Sequence, residues 1–222
     1  ETKANRGVFT EVELQAIFAT ATAFELALFG TLSMTGPRPG EIYALDWSAV
    51  YLDVEKPYFR IERTWCSKGF RFYGPKTEAG RRTVPISAWL ASVLREHRAR
   101  SAGVGLVFPS TDSTPLNKAN VRKRVWMPLL KRAQVPYRDM YSLRWTFVSL
   151  ARASGEAAFN VSRVIGHARS TIVDTIYAHT VDSALAGVSE SVAERVGLRL
   201  PTPPTAPGPP DGAASAADAP RD

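Results

Sequence analysis

Five short segments of the chain combine basic, histidine or tyrosine side chains with residues typical of tight turns. In chain order they are residues 35–41 (TGPRPGE), 75–77 (PKT), 141–147 (YSLRWTF), 165–167 (IGH) and 177–179 (YAH). In the first segment, glycine and proline predict a turn that leads into a helix with Arg38 at its start. Helix N-termini attract anions, and an arginine there can donate two parallel hydrogen bonds to phosphate oxygens. This segment therefore favours phosphate binding.

Each segment, taken alone, is also open to an ordinary structural interpretation. Lys76 on a predicted hairpin turn can reach into a DNA groove, yet surface lysines are common on hairpins. Tyr141 and Arg144 share a helix face because they are three residues apart. A solvated arginine, an exposed lysine and a structural histidine or tyrosine explain the single segments as well as catalysis does.

Together, in this order and spacing, the segments resemble the signature of the tyrosine recombinase (phage integrase) family. That signature reads TGxRxGE, then a hairpin PKT, then HxLRHTF, LGH and YxH, and the resemblance covers about residues 8–180. Each motif is weak alone, and their common register gives the resemblance its specificity. It implies the fold of a tyrosine recombinase catalytic domain.

The resemblance also implies a mechanism. In the family, a tyrosine hydroxyl attacks the scissile phosphate and forms a 3′-phosphotyrosyl link with a free 5′-hydroxyl, without ATP, metal or another cofactor. Carried over to this chain, Tyr177 is the nucleophile and Lys76 is the general acid that protonates the leaving 5′-oxygen. Arg38, Arg144 and His167 contact the phosphate as charge develops on its oxygens.

Two histidines of the family pattern are replaced in this chain. Tyr141 and Trp145 each stand where histidine is usual. A tyrosine is a poorer base than a histidine at neutral pH, but Tyr141 can still donate a hydrogen bond to the phosphate, so it stays in the predicted catalytic set. Trp145 is interpreted as a change in packing. Glu41 and His179 are expected to support the site rather than to react.

Composition is compatible with a DNA-binding protein of a reducing compartment. The formal net charge is +7, which favours polyanionic partners. Cys66 is the single cysteine, so an internal disulfide is excluded, and the sequence shows no signal peptide. Residues 16–34 are long and apolar, but Glu25 at their centre favours a buried helix or helix pair over a membrane span. The expected location is the cytoplasm of a bacterial host, on DNA.

The elements that position these segments are predicted to be mainly α-helical, with one small three-stranded antiparallel β-sheet (α+β). A capping box of Thr10 and Glu13 begins the first helical pattern, which runs to about Met34. A short helix follows from Pro39 to Leu45. Three strands are predicted within residues 56–86, with residues 66–69 as the turn between the first and the middle strand. Further helical patterns begin after Ser87 and Asn117 and cover about residues 139–153, 156–165, 170–178 and 182–197.

The predicted domain organisation is one catalytic domain over residues 1–198, followed by a disordered tail rich in proline and alanine over residues 199–222. The family usually carries an N-terminal core-binding domain, which is expected to precede this chain. The implied partners are double-stranded DNA and three further copies in a homotetramer on two DNA sites. The sequence leaves open whether DNA-bending accessory proteins act at those sites. The stripe of Leu185, Val188, Val192 and Val196 packs either on its own domain or on a neighbouring subunit.

The sequence therefore predicts a site-specific recombinase that cleaves and rejoins DNA. One alternative is a non-catalytic DNA-binding remnant of a mobile-element integrase, which the substitution at Tyr141 favours. A relaxing enzyme akin to type IB topoisomerases shares the chemistry but not the spacing of the motifs. A metal-dependent nuclease is disfavoured because the sequence has no cluster of carboxylates for a metal.

Overall fold

Short helices joined by tight turns make up most of the computed structural model, which describes residues 7–74, 80–166 and 183–198. The mainly helical fold with small antiparallel sheets is confirmed. The helices are α1 (Glu11–Thr20), α2 (Ala23–Thr35), α3 (Pro39–Tyr43), α4 (Ala88–Ala99), α5 (Lys118–Val121), α6 (Met127–Arg132), α7 (Ser142–Ala153), α8 (Ala158–Ile165) and α9 (Ser183–Arg195). One π-helical turn, Arg122–Trp126, joins α5 to α6. The predicted helix over residues 170–178 and the predicted tail lie outside the described residues.

The apolar segment near the start is a pair of helices. The predicted capping box of Thr10 and Glu13 begins α1, and a second capping box of Thr22 and Glu25 begins α2, so the helical pattern breaks between them. Glu25 is buried, but its carboxylate accepts the Thr22 amide and pairs with Arg132. Across the part of the chain that the structure describes, no helix is long and apolar enough to cross a membrane.

The small sheet has a different membership from the predicted one. Strands β1 (Val50–Tyr51), β2 (Tyr58–Ile61) and β5 (Arg82–Pro85) form a three-stranded antiparallel sheet in the order β1-β2-β5. The predicted middle strand instead pairs in a separate two-stranded hairpin of β3 (Thr64–Cys66) and β4 (Arg71–Tyr73). The turn predicted between these two strands is confirmed, because the Gly69 amide donates to the Cys66 carbonyl.

Helix α2 lies at the centre of the core and contacts α3, α4, α7 and α9. The apolar stripe of α9 packs within its own chain, since Val188, Val192 and Val196 are fully buried. Ser189 fixes the same helix, because its hydroxyl donates to the Met34 carbonyl of α2 at 3.0 Å and accepts the Ser87 amide at 3.2 Å. These valines therefore pack on their own domain and not on a neighbouring subunit, which were the two alternatives for the last helix.

Candidate active site

The turn between α2 and α3 presents Arg38 at a helix N-terminus, as the sequence predicts. Gly36 ends α2 in the left-handed conformation with φ 63°, and Pro39 begins α3. Arg38 is the N-cap residue of α3, and its side chain is 46% exposed. Gly40 lets the strand β3 approach closely, because a Cβ there would lie 2.6 Å from the Trp65 carbonyl oxygen. A cationic side chain therefore stands half open to solvent above a tightly packed turn.

Glu41 bridges Arg38 to a second arginine. Its carboxylate accepts the Arg38 amide at 2.8 Å and the Arg38 guanidinium at 3.2 Å. Arg82 on β5 donates to the same carboxylate at 2.8 and 3.2 Å. Burial by itself would raise the pKa of Glu41, but the hydrogen bonds and charge of Arg82, together with those of Arg38, hold its pKa below the ordinary value. Glu41 is therefore a buried carboxylate that binds both the backbone amide and the guanidinium group of Arg38, and its supporting role in catalysis stays a prediction.

Arg144 is almost completely buried in the first turn of α7, with 2% of its surface exposed. Its Nη1 donates to the Gly36 carbonyl at 2.6 Å, whereas Nη2 has no acceptor among the residues that the structure describes. Burial lowers the pKa of Arg144 to about 10, and the charge of Arg38 acts in the same direction. Because a pKa near 10 still leaves the group charged at neutral pH, a buried cation lies beside Arg38 with unused hydrogen-bonding capacity.

Tyr141 lies at the N-terminus of α7, one turn before Arg144. Its amide donates to the Asp139 carboxylate at 2.9 Å, and its ring contacts Trp145 edge-on with the ring centroids 6.2 Å apart. Trp145 is 41% exposed, so it covers Tyr141 rather than entering the core. The core face of α7 is formed by Leu143, Phe147 and Leu150, as the periodicity predicts. Tyr141 therefore lies beside the arginine site.

The described residues thus bring together Arg38, Glu41, Tyr141 and Arg144. The other predicted site residues, Lys76, His167, Tyr177 and His179, lie outside the described residues, and their roles stay predictions. The nearest described neighbours in sequence are Gly74 and Gly80 for Lys76, and Gly166 for His167.

Arg82 is the residue at this site that sequence reasoning missed. Its side chain is 6% exposed, and its Nε donates to the Val164 carbonyl at the end of α8 at 2.7 Å. The signal was present in the strand pattern, because Arg82 and Val84 are two residues apart and so share one face of β5. Since Val84 is fully buried, Arg82 is also directed inward.

The site thus contains an arginine at a helix N-terminus, a buried arginine and a carboxylate shared between two arginines. We compared the chain with known protein families. The sequence pattern of the phage integrase family matches residues 8–183. The chain belongs to the phage integrase family. A XerC-like tyrosine recombinase of Caldanaerobacter subterraneus subsp. tengcongensis is 31% identical over 199 residues, 78% of this chain. An integrase of Streptomyces ambofaciens is 33% identical over 162 residues, 65% of this chain.

This phage integrase domain spans about half the length of the curated relatives that it matches, 50% and 41% respectively. Solved structures share its fold. The Tn1549 transposon integrase in complex with transposon right end DNA superposes with a TM-score of 0.62, at 16% identity, over 89% of this chain and 68% of that chain. A lambda integrase tetramer bound to a Holliday junction gives a TM-score of 0.52, at 18% identity, over 79% of this chain and 51% of that chain.

Proposed function

We propose that this chain is the catalytic domain of a site-specific DNA recombinase that cleaves and rejoins strands through a 3′-phosphotyrosyl intermediate. The observation that carries the proposal is the buried, cationic Arg144 beside Arg38, with its Nη2 unpaired among the described residues. A buried donor without an acceptor costs roughly 1–3 kcal/mol. A phosphate oxygen placed between the two arginines would satisfy that donor and neutralise both charges.

In the proposed reaction the hydroxyl of Tyr177 loses its proton to water and its oxygen forms a bond to the scissile phosphorus. The bond from phosphorus to the 5′-oxygen breaks, and Lys76 protonates that oxygen. Arg38, Arg144 and His167 stabilise the charge on the non-bridging oxygens, an effect worth roughly 10²–10³ in rate for one such donor. Tyr141 donates a further hydrogen bond, and Glu41 orients Arg38. A second strand's 5′-hydroxyl then reverses the step.

The proposed partner is double-stranded DNA, with a homotetramer acting on two sites in a bacterial cytoplasm. The support for this assembly is the family membership and the fold shared with integrases whose structures contain DNA or a DNA junction. The net charge of +7 is in keeping with a polyanionic partner.

The experiment is a covalent-capture assay with the protein encoded by the complete gene. The protein is mixed with DNA that flanks its own gene, in the presence of EDTA, and an SDS-stable protein–DNA adduct is measured. Wild type is compared with Tyr177→Phe and with Tyr51→Phe, a tyrosine that stacks on Tyr58 in the three-stranded sheet. We expect an adduct with wild type and Tyr51→Phe, and none with Tyr177→Phe.

Binding without any adduct, on DNA shown to contain the site, would contradict the catalytic proposal. It would instead favour the second candidate, a DNA-binding remnant, to which the tyrosine at position 141 points. In that case Tyr141→His is the variant to test next, because it restores the side chain that is usual in the family. A gain of adduct with Tyr141→His would assign the loss of activity to that one substitution.

A further inference from the structure

The guanidinium group of Arg82 contacts three separate segments of the chain. It donates from Nη1 and Nη2 to the two carboxylate oxygens of Glu41, at 3.2 and 2.8 Å. Its Nε donates to the Val164 carbonyl in the last turn of α8 at 2.7 Å. Its Nη1 also reaches the Gly80 carbonyl at 3.4 Å, at the start of the segment that leads into β5. One side chain thus joins α3, α8 and the approach to β5.

Both oxygens of Glu41 are shared between Arg82 and Arg38. Oε1 accepts from the Nη1 atoms of both arginines, and Oε2 accepts from Arg82 Nη2 and from the Arg38 amide. The carboxylate therefore has no freedom to rotate without losing bonds to both partners. A displacement of Arg82 would disturb the carboxylate that holds both the backbone amide and the guanidinium group of Arg38.

The end of α8 packs closely against the guanidinium group of Arg82. Gly166 has φ 71°, and a Cβ at this position would lie 2.7 Å from Arg82 Nη1 and 2.9 Å from its Cζ. The sequence continues directly from Gly166 into His167. The backbone that leads into a proposed catalytic residue therefore rests against the arginine that also holds Glu41.

Stability alone is a weak reason for such an arrangement. Buried ion pairs cost desolvation energy, and well-packed apolar residues of similar volume are often as stable or more so. An arginine offers five donors in a rigid planar fork, which a lysine does not. The donors of Arg82 bind Glu41, the Val164 carbonyl and the Gly80 carbonyl. This favours a role in fixing the positions of α3, α8 and the approach to β5 relative to one another.

We propose that Arg82 is a positioning residue of the DNA-cleavage step, which holds Arg38 through Glu41 and fixes the last turn of α8 in the same frame. This inference rests on the proposed function. Misplacement of a group near the reacting atoms by about 1 Å can cost roughly 100-fold in rate. Arg82→Met should therefore slow adduct formation at saturating DNA by roughly 10- to 100-fold, with little change in DNA affinity.

The chain offers a matched control. Arg132 pairs with Glu25, which is buried. Like Glu41, Glu25 is the third residue of its helix, and its carboxylate accepts the backbone amide of the N-cap residue. Arg132→Met also removes an arginine from a buried capping carboxylate, but away from the site and with a side chain that is 44% exposed, against 6% for Arg82. It should leave the rate of adduct formation within about threefold of wild type. If Arg82→Met fails to fold, Arg82→Lys replaces it, because it keeps the charge and loses the fork.

A substrate change separates positioning from a general loss of structure. The scissile phosphate is replaced by a methylphosphonate, in which one non-bridging oxygen becomes an uncharged methyl group, so less charge needs to be neutralised by Arg38. We expect the rate defects of Arg82→Met and Arg38→Ala to shrink together on this substrate. An Arg82→Met defect that is equal on both substrates would overturn the inference.

A measurement on the protein alone separates this inference from the proposed function. Amide hydrogen exchange at Glu41 and at the turn that ends on Gly166 should become faster in Arg82→Met and remain unchanged in Arg132→Met. If exchange is faster in Arg82→Met but the wild-type protein forms no adduct, Arg82 still positions these segments, and the proposed recombinase function is wrong. Unchanged exchange would overturn the positioning role whatever the adduct assay shows.

Discussion

Burial of the Arg144 guanidinium places a cation where water cannot solvate it fully. Arg144 is 2% exposed, its pKa is lowered to about 10 by burial and by Arg38, and the charge persists at neutral pH. The free protein therefore carries a solvation cost that an anion would relieve. In the proposed reaction that anion is the scissile phosphate, so the cost is built in before DNA binds.

Sulfate should bind beside Arg144 in the absence of DNA. At a sulfate concentration of about four times its Kd, binding contributes ~1 kcal/mol to the free energy of unfolding, or roughly 2–4 °C in Tm. We expect that gain in wild type, beyond the general salting effect of sulfate, and not in Arg144→Gln. Thermal unfolding in sulfate and in chloride at equal ionic strength measures it.

Arg100→Gln is the control for this prediction, because Arg100 is an exposed arginine that pairs with Glu96 within α4. It should respond to sulfate as wild type does. If Arg144→Gln gains as much Tm from sulfate as wild type, Arg144 does not take part in anion binding.

At the residue scale, motif order predicted Arg38, Glu41, Tyr141 and Arg144 correctly as neighbours. Motif order could not show that Arg144 is buried or that it lies close enough to Arg38 for the two charges to repel each other. Both depend on how α2 and α7 pack. Arg82 was missed since an arginine in a strand is ordinarily a solvent-facing residue. Its inward direction follows only once Val84 is known to be in the core.

Three of the described helices begin with the same capping arrangement, in which a glutamate carboxylate accepts the backbone amide of the N-cap residue. Glu13 in α1, Glu25 in α2 and Glu41 in α3 each accept the amide of the N-cap residue at 2.8 Å. Each also pairs with an arginine distant in sequence, namely Arg138, Arg132 and Arg82. The start of each helix is therefore fixed to a second element by a carboxylate.

These carboxylates should make the fold sensitive to acid. Burial alone would raise the pKa of Glu13, Glu25 and Glu41, but their hydrogen bonds and arginine partners lower each pKa below the ordinary 4.5. A lowered pKa stabilises the fold above the unfolded value, and that stability is lost as pH falls through the folded value. We expect Tm to fall steeply below about pH 4.5.

Glu25→Gln tests this expectation. At pH 7 it should reduce the free energy of unfolding by about 1 kcal/mol, because the cap and the ion pair are weakened. Below about pH 4.5 its Tm should fall less steeply than that of wild type, and Glu96→Gln on the surface of α4 should follow wild type. Parallel acid slopes for wild type and Glu25→Gln would show that Glu25 is not responsible.

At the element scale, local sequence signals located most helices and misassigned part of the sheet. The caps at Thr10, Ser87 and Asn117 were predictable because they use short-range hydrogen bonds. The position of the break at Thr22 was not predictable, because the apolar pattern continues through it. The pairing of Val50–Tyr51 with β2 was not predictable, since a strand of this length is defined by its partner rather than by its own pattern.

The whole molecule carries its positive charge unevenly along the sequence. Between Ser113 and Arg138 there is no acidic residue. Arg132 and Arg138 pair with Glu25 and Glu13, and the remaining basic residues, which form the basic segment, are Lys118, Arg122, Lys123, Arg124 and Lys131. The amide of Lys118 donates to Ser67 in the β3–β4 turn at 3.3 Å, and β3 lies against Gly40 beside Arg38. The start of the basic segment therefore contacts the hairpin that packs on the turn carrying Arg38.

DNA affinity should depend steeply on salt, and Lys118 should contribute to that dependence. Each cation that neutralises a DNA phosphate adds about 0.9 to the slope of log K against log salt concentration. Lys118→Ala should therefore lower the slope by roughly 0.9, whereas Arg100→Ala should not change it. Fluorescence anisotropy on a labelled duplex over a range of salt concentrations measures both. An unchanged slope in Lys118→Ala would place the DNA elsewhere.

The packing of α9 has a consequence for the order in which the protein is made. A ribosome releases Arg38, Arg144 and Tyr177 before it completes the helix Ser183–Arg195. Until then the nascent domain lacks Val188 and Val192 in its core, and the Met34 carbonyl lacks its Ser189 donor. A chain that stalls before Ser183 is therefore expected to remain unfolded and open to proteases. The arginine site is therefore expected to be held in place only after this helix has been made.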